Sequence, residues 1–200
     1  MPPPSFRALL GIPASSASPS DPSTALIIID AQNEYAHGKL KVTNAEASGK
    51  VIASLLEKFR KGRGKIVHVL HKTPNGAPIF TPGTQLAEEF GGLRKADGED
   101  LIWKQHPGSF ADTPLDTILK SSDIKKVVLV GYMAHVCIST TAREAVQRGY
   151  DVVLVEDAIG DRDIPALGGE ETVLGEEVTR VVLAELADVF GTVVQSRDVV

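Results

Sequence analysis

Residues 125–158 read KKVVLVGYMAHVCISTTAREAVQRGYDVVLVEDA. The runs 126–130 and 151–155, which are rich in valine, predict two strands that are buried on both faces. Between them, residues 139–148 have the pattern of an amphipathic helix, and Gly149 follows as a helix-ending residue. A strand, a helix and a second strand in this order are typical of a parallel sheet with helical crossovers. This stretch therefore predicts an α/β fold.

The same alternation continues on both sides of this stretch. Further strands are predicted over residues 25–30, 65–70, 101–104 and 189–194, and further helices over 44–60, 112–120 and 172–187. No internal repeat or change of composition marks a second domain. We predict one three-layer, Rossmann-like α/β domain over residues 25–200, with a mostly parallel six-stranded sheet and helices on both faces. Residues 1–24 are predicted to form an N-terminal arm, and residues 71–92 a binding loop or lid.

The composition argues against several classes of function. The net charge is −5 and no run of Lys and Arg is long enough to follow a phosphate backbone, so we expect no nucleic-acid partner. No segment approaches the ~20 apolar residues of a membrane span, so no membrane partner is expected. The single cysteine rules out an intramolecular disulfide and zinc sites built from several cysteines. The first residues lack a signal-peptide pattern, which predicts a cytoplasmic protein and leaves secretion without a signal peptide open.

Cys137 is a candidate nucleophile because it lies between a predicted strand and a predicted helix. The N–H groups at a helix N-terminus favour the thiolate, which is the reactive form. The alternative is a buried cysteine that acts as a small hydrophobic residue. Asp30 and Lys104 also lie at the carboxyl ends of predicted strands, where ligands bind in sheets of this kind. A carboxylate could take the thiol proton and a lysine could stabilise the charges, although charged residues also stand at strand ends by chance.

Three stretches resemble the signature regions of the isochorismatase-like cysteine hydrolases, a superfamily that includes nicotinamidases, N-carbamoylsarcosine amidases and isochorismatases. They are ALIIIDAQNEY (25–35), IWKQHPGSFADTPLDTIL (102–119) and VVLVGYMAHVCISTTAREAVQRGYDVVLVEDA (127–158). These stretches occur in the order and spacing of the family, and the similarity runs from about residue 25 to the last residue. The resemblance implies a six-stranded parallel sheet with the strand order 3-2-1-4-5-6.

The resemblance also implies a Cys–Asp–Lys triad. In this triad Cys137 is the nucleophile, Asp30 is the general base and acid, and Lys104 stabilises the ionised forms. A cis peptide bond is implied between Tyr132 and Met133. The N–H groups of Met133 and Cys137 would form an oxyanion hole, which stabilises a tetrahedral intermediate. This chemistry requires no cofactor.

Three residues near these stretches are candidates for binding a substrate. Gln32 lies two residues beyond Asp30, where it could help to position the base or could cap a loop. Tyr35 and Phe110 could form walls of the pocket, and either could equally be part of the core.

Two histidines complete the predicted substrate pocket. His71 lies at the end of a predicted strand beside the long loop, whereas His68 faces the opposite side and is expected to be a hydrogen-bonded core residue. His135 could meet a substrate carboxylate or could cap the following helix. Nicotinamidases hold a metal with an Asp-x-His pair and a further His, but this chain has His71-Lys-Thr at that position, so we expect no metal site.

Two substrate chemistries stay open at this point. The retained Cys137 favours acyl transfer from a small amide through a thioester. The Ala134-His135 pair is shared with siderophore isochorismatases, which cleave a vinyl ether by acid catalysis from the Asp.

A nucleotide-binding module and a redox sensor are less favoured classes of protein. The resemblance also bears on how the chain assembles. A nucleotide-binding module needs a glycine-rich turn after the first strand, and residues 30–35 contain no glycine. A redox sensor needs a resolving thiol, which this chain lacks. By analogy with the family, we expect a small-molecule substrate and a homodimer or homotetramer.

Overall fold

Six parallel strands form one sheet in a computed structural model that describes residues 2–200. Numbered along the chain, their order in the sheet is β3-β2-β1-β4-β5-β6, and every neighbouring pair is parallel. The fold class and the strand order are therefore confirmed. The strands are β1 (Thr24–Ile29), β2 (Lys65–His71), β3 (Asp100–Lys104), β4 (Lys126–Tyr132), β5 (Asp151–Gly160) and β6 (Thr192–Val194).

Helices cover both faces of the sheet, as predicted. One hydrophobic cluster joins the sheet to α4, α5 and α6, and a second joins it to α2 and α3. A π-helical turn, Ala134–Ile138, leads into α5, and a two-residue antiparallel hairpin, Ile164–Pro165 with Thr172–Val173, follows β5. The helices are α1 (Phe6–Leu9), α2 (Asn33–His37), α3 (Ala45–Gly62), α4 (Leu115–Ser121), α5 (Ser139–Gln147) and α6 (Gly175–Val189).

Strand β1 lies at the centre of the sheet and is buried along its whole length. Its side chains alternate between the two clusters, because successive residues of a strand point to opposite faces. Ala25, Ile27 and Ile29 pack on one side, and Leu26 and Ile28 pack on the other. Both faces are apolar, which explains why the sequence reads as a continuous hydrophobic run.

Several elements differ from their predicted bounds, most of all β5 and α6. Strand β5 continues to Gly160, five residues beyond the predicted end, because its pairing with β4 resumes after a register shift, with Gly131 opposite Ile159. The polar residues 156 and 157 interrupt the apolar pattern and hide this continuation. Helix α6 starts at Gly175, since Thr172 and Val173 belong to the hairpin instead.

The N-terminal arm packs against the domain rather than extending away from it. The N–H of Ser15 donates to Thr192 Oγ1 at 2.9 Å, and the N–H of Val200 donates to the carbonyl of Ala17 at 3.2 Å. Ala17 is part of the core. No helix within residues 2–200 combines the length and the apolar character needed to cross a membrane.

Candidate active site

The structure brings Asp30, Lys104 and Cys137 together at the carboxyl edge of the sheet. Asp30 directly follows β1, Lys104 is the last residue of β3, and Cys137 lies in the π-helical turn after β4. Lys104 Nζ lies 2.7 Å from Asp30 Oδ2 and 3.2 Å from Cys137 Sγ. The exposed fractions of Asp30, Lys104 and Cys137 are 0%, 1% and 4%. The three groups therefore form one connected cluster from which water is largely excluded.

Asp30 has an unusual backbone conformation that turns the chain at the end of β1. Its φ is 51°, in the left-handed region that Asp tolerates better than most residues. Its N–H donates to the carbonyl of Val69 at 2.8 Å, which holds the turn against β2. Apart from the ion pair with Lys104, neither carboxylate oxygen has a hydrogen-bond partner of good geometry within residues 2–200. The free lone pairs leave Asp30 able to take up a proton.

The protonation states follow from burial and from the charges inside the cluster. Burial raises the pKa of the Asp30 carboxyl, although the charge of Lys104 and the Cys137 thiol act in the opposite direction. Burial alone would lower the pKa of Lys104, but the attraction of Asp30 and of Cys137 raises it. Lys104 therefore stays an ammonium group, and Asp30 is a carboxyl that can gain a proton more readily than an exposed one.

Cys137 differs from the sequence-based expectation of a readily formed thiolate. Burial, followed by the charge of Asp30, raises the pKa of its thiol, and the favourable effect of Lys104 is smaller. The position at the start of a helix does not overcome these effects. The resting thiol therefore keeps its proton and needs a base at the moment of reaction.

Lys104 has two further contacts, one with His106 and one with His71. Lys104 Nζ also donates to the carbonyl of His106 at 3.1 Å and lies 3.3 Å from His71 Nδ1. Burial, together with Lys104 and His106, lowers the pKa of His71 to about 4, so its ring is neutral near pH 7 and Nδ1 can accept this bond. His71 thus lies beside the cluster, where the sequence placed it.

The turn between β4 and α5 brings backbone N–H groups next to the thiol. The Tyr132–Met133 peptide bond is cis, as the resemblance implies. The carbonyl of Met133 accepts the N–H groups of Val136 and Ile138 at 3.2 and 3.1 Å. No described residue accepts the N–H of Met133. This donor is therefore available to a ligand.

Gly131 is required for the close approach of β4 to β1. Its φ is +115°, and a Cβ atom at this position would lie 1.9 Å from the carbonyl oxygen of Ile29. No other residue fits, because any side chain would push apart the strands that carry Asp30 and Cys137. The sequence contains this glycine in the motif that precedes the nucleophile.

Gln32 holds the long loop instead of pointing a free amide at a substrate, which corrects the prediction of a substrate contact. Its side chain is completely buried. Nε2 donates to the carbonyls of His71 and Ala87 at 2.9 and 2.7 Å, and Oε1 accepts the N–H of His71 at 2.8 Å. Both amide protons are therefore used within the protein. Gln32 fastens the Asp30 turn, the end of β2 and the loop to one another.

Tyr35 and Phe80 form an aromatic wall beside the cluster. The ring of Phe80 lies 5.2 Å from those of Tyr35 and His71, and Phe80 is buried although it belongs to the loop 72–99. Burial is the main cause of the raised pKa of the Tyr35 hydroxyl. Phe80 was missed from the sequence, and the only signal was an aromatic residue within a loop rich in Pro and Gly.

Phe110 packs against residues near the end of α5, and its assignment to the substrate pocket stays a prediction. Its ring stacks on Tyr150 with the centroids 6.0 Å apart, and the Arg148 guanidinium lies 4.7 Å from its centroid. Phe110 therefore packs in the core between the loop after β3 and the end of α5. This is the alternative that the sequence left open.

His135 and His68 are both held by carboxylates. His135 Nδ1 lies 2.7 Å from Asp161 Oδ2. His68 is completely buried, as expected, with Nδ1 2.7 Å from Glu89 and Nε2 3.0 Å from Glu99. Within residues 2–200, no three His, Cys, Asp or Glu side chains are grouped so that they could hold a metal ion.

The triad is closed off from the clefts at the surface. A cleft of about 660 Å³ lies between α2, α3 and residues 91–93, but none of the three triad residues lines it. The candidate site is therefore defined by the three clustered reactive side chains and not by a large cavity.

Comparison with known proteins agrees with this arrangement. A sequence model of the isochorismatase domain matches residues 24–198, which include all three triad residues. A protein of Verticillium dahliae named secreted isochorismatase effector is 58% identical over 195 residues, with 98% of each chain covered. A crystal structure of an isochorismatase from Pseudomonas putida has a TM-score of 0.93 and 32% identity, and covers 100% of both chains.

One solved structure with a different activity in its name also matches. The crystal structure of N-carbamoylsarcosine amidase from Thermoplasma acidophilum has a TM-score of 0.76 and 26% identity, over 88% of this chain and 98% of the other. The same fold therefore occurs in a protein named isochorismatase and in one named amidase.

Proposed function

This chain belongs to the isochorismatase family and is a hydrolase, and we propose that it hydrolyses isochorismate with Asp30 as the proton donor. The Asp30 carboxyl carries this proposal. It is completely buried, burial raises its pKa, and its neighbours are the Lys104 ammonium group and the Cys137 thiol. Such a carboxyl can hold a proton at a higher pH than an exposed one and can deliver it to a substrate. The name of the V. dahliae relative supports the substrate.

The reaction on isochorismate needs one proton donor and one water molecule. Isochorismate carries a vinyl ether, and Asp30 protonates the terminal vinyl carbon, which leaves positive charge on the neighbouring carbon. Water adds to that carbon and returns a proton to Asp30. The resulting hemiketal breaks its bond to the ring oxygen, which takes a proton, and releases pyruvate and a dihydroxylated ring acid.

Lys104 and Cys137 have supporting roles in this reaction. Lys104 Nζ lies 2.7 Å from Oδ2 of Asp30, and we propose that Oδ1 carries the proton. Cys137 keeps its own proton, because burial raises the pKa of its thiol, and it acts as a wall of the site. Tyr35 packs on Phe80, which in turn packs on His71, and Tyr35 is proposed to bind the substrate.

Amide hydrolysis through Cys137 is a second candidate function. The specific observation in its favour is the contact of 3.2 Å between Cys137 Sγ and Lys104 Nζ, next to the free N–H of Met133. In this reaction Asp30 takes the thiol proton, and Sγ attacks the amide carbon. The N–H groups of Met133 and Cys137 stabilise the oxyanion. The amine leaves with the proton from Asp30, and water hydrolyses the thioester.

A comparison of two products separates these functions. Wild-type protein and Cys137→Ala are incubated with isochorismate and with a panel of small amides, including N-carbamoylsarcosine, and pyruvate and ammonia are measured. The ether reaction predicts pyruvate release that survives Cys137→Ala. Ammonia release that disappears in Cys137→Ala would establish the amide reaction, and pyruvate release that disappears with it would overturn the ether reaction.

The remaining expectations about partners and location are also proposals. We propose a small-molecule substrate, a homodimer or homotetramer, and no nucleic-acid or membrane partner. The cytoplasmic location stays a prediction, and the name of the V. dahliae relative supports the alternative of secretion without a signal peptide. Mass spectrometry of the culture supernatant of the producing organism, with a cytosolic marker as control, tests the location.

A further inference from the structure

We propose that Asp161 is a positioning residue for the backbone turn that carries the N–H groups of Met133 and Cys137. The inference rests on the acyl chemistry proposed for Cys137, because these two N–H groups matter most when an oxyanion forms. The carboxylate of Asp161 fastens the middle of this turn to the end of strand β5. No sequence motif singled out Asp161.

The sheet brings Asp161 next to the turn. Asp161 directly follows β5, and its neighbour Gly160 is paired with Tyr132, the last residue of β4. The two chains therefore leave the sheet side by side. The side chain of Asp161 is completely buried, so its carboxylate is shielded from water and must be satisfied by the protein.

All the donors to this carboxylate are nearby N–H groups. Oδ2 accepts the backbone N–H of His135 at 2.8 Å and lies 2.7 Å from Nδ1 of the same residue. Oδ1 accepts the N–H of Arg162 at 2.8 Å. Because the acceptor is a carboxylate, Nδ1 of His135 carries a proton. One residue of the turn is thus held twice by the same oxygen.

The place of His135 in the turn makes this contact important for the reaction. His135 lies midway between Met133 and Cys137, so holding its backbone fixes the direction of both N–H groups. The turn has π-helical bonds instead of regular α-helical ones, since the carbonyl of Met133 accepts from Val136 and Ile138. A carboxylate that accepts the N–H of its first residues replaces the missing internal support.

Asp161 is itself anchored on a different part of the fold. Its carbonyl accepts the N–H of Thr43 at 2.8 Å, just before α3. Asp161 therefore connects the turn both to the sheet and to the residues that precede α3. The turn and the sulfur therefore have separate supports, because Asp161 holds the turn while Lys104, at the end of β3, contacts Sγ of Cys137.

These separate supports predict a selective defect. In Asp161→Asn the turn loses the charge and one strong acceptor, while the sulfur stays beside Lys104. Misplacement of a donor by about 1 Å can cost about 10²-fold in rate, and loss of one oxyanion donor costs about 10²- to 10³-fold. The defect should appear only in reactions that form an oxyanion.

Two reagents that attack the same sulfur test this selectivity. Acylation by p-nitrophenyl acetate passes through an oxyanion, whereas alkylation by iodoacetamide displaces iodide at a saturated carbon and does not. In Asp161→Asn we expect the acylation rate to fall at least about 30-fold, and alkylation to stay within about twofold of wild type. His135→Gln keeps the hydrogen bond from its backbone N–H to Asp161 and removes the bond from its ring. We expect its acylation rate to fall less than that of Asp161→Asn, and its alkylation rate to be spared in the same way.

Asp163→Asn is the matched control. Asp163 lies two residues further on and accepts the N–H of Gly175 at 2.8 Å, away from the turn. Its acylation and alkylation rates should both equal those of wild type. Unchanged acylation in Asp161→Asn, or equal losses of acylation and alkylation, would overturn the inference. A wild-type protein that is alkylated at Cys137 but never acylated there would overturn the proposed amide chemistry together with it.

Discussion

Lys104 Nζ lies 2.7 Å from Asp30 Oδ2, and neither side chain is more than 1% exposed. Lys104 also has the His106 carbonyl, Cys137 Sγ and His71 Nδ1 within 3.3 Å, so four acceptors surround three protons. A buried ion pair gains little stability once the loss of hydration is counted. The pair is therefore explained better by proton transfer at Asp30 than by stability of the fold.

Replacement of Lys104 should uncouple stability from activity. Lys104→Met leaves Asp30 buried without a partner, and we expect the free energy of unfolding to fall by about 3–5 kcal/mol. The double variant Asp30→Asn with Lys104→Met removes both charges and should regain most of that stability, but no activity. Urea unfolding of the two single variants and the double variant measures this coupling. Additive losses would show that the two charges do not depend on each other.

The pH dependence distinguishes an acid from a base at Asp30. Burial raises the pKa of Asp30. As a proton donor to isochorismate, Asp30 must be protonated, so kcat/KM should fall as pH rises through that raised pKa. As a base towards Cys137 it must be ionised, so kcat/KM for an amide should fall as pH drops through the same region. Profiles for both substrates from about pH 4 to about pH 9 check this, and parallel profiles would contradict it.

Phe80→Ala should expose the thiol. Phe80 is 3% exposed and packs on Tyr35 and His71, so its removal opens the aromatic wall over the triad. We expect iodoacetamide to alkylate Cys137 at least about 10-fold faster, because the closed state no longer limits access. Leu86→Ala changes an exposed residue of the same loop and should have no effect. Equal rates in wild type and Phe80→Ala would mean that the loop does not cover the site.

The ionised carboxylate of Glu99 should stabilise the fold at neutral pH but not at strongly acidic pH. Burial alone would raise its pKa, but hydrogen bonds from Arg60, the Ala96 N–H and His68 lower it to about 2. Because the folded pKa lies below the unfolded value, this stabilisation is present above about pH 4.5 and is lost as pH falls towards 2. Glu99→Gln should therefore lower the free energy of unfolding at pH 7 by on the order of 2 kcal/mol, and by much less at pH 2.

Glu46→Gln is the control for this pH dependence. Glu46 forms an exposed pair with Lys50, which water screens. No measurable change is expected at either pH. A Glu99→Gln variant whose loss of stability is the same at pH 7 and pH 2 would contradict the assignment.

The sequence predicted the parts of the site that depend on strand ends. Asp30, Lys104 and Cys137 each follow or end an apolar run, and parallel strands bring their carboxyl ends to one edge. Phe80 and Asp161 could not be found in this way. The burial of Phe80 depends on how a long loop folds back, and the role of Asp161 depends on a strand that continues past two polar residues.

The depth at which Cys137 is buried could not be predicted from the sequence for a related reason. The sequence shows that a helix starts near the thiol, which favours the thiolate. It does not show how deeply the sulfur is buried or that Asp30 lies beside it, and these two effects raise its pKa. Gln32 was misassigned because its hydrogen-bond partners come from distant parts of the chain.

Pyruvate release from isochorismate by wild-type protein, Asp30→Asn and Cys137→Ala tests the central claim most directly. Asn is close in shape to Asp and tolerates the φ of 51° at this position, so the fold should be kept. We predict turnover by wild type, a loss of at least about 10³-fold in Asp30→Asn, and a rate within about 10-fold of wild type in Cys137→Ala. Absence of turnover by wild type, undiminished turnover by Asp30→Asn, or an equal loss in Cys137→Ala would contradict acid catalysis by Asp30.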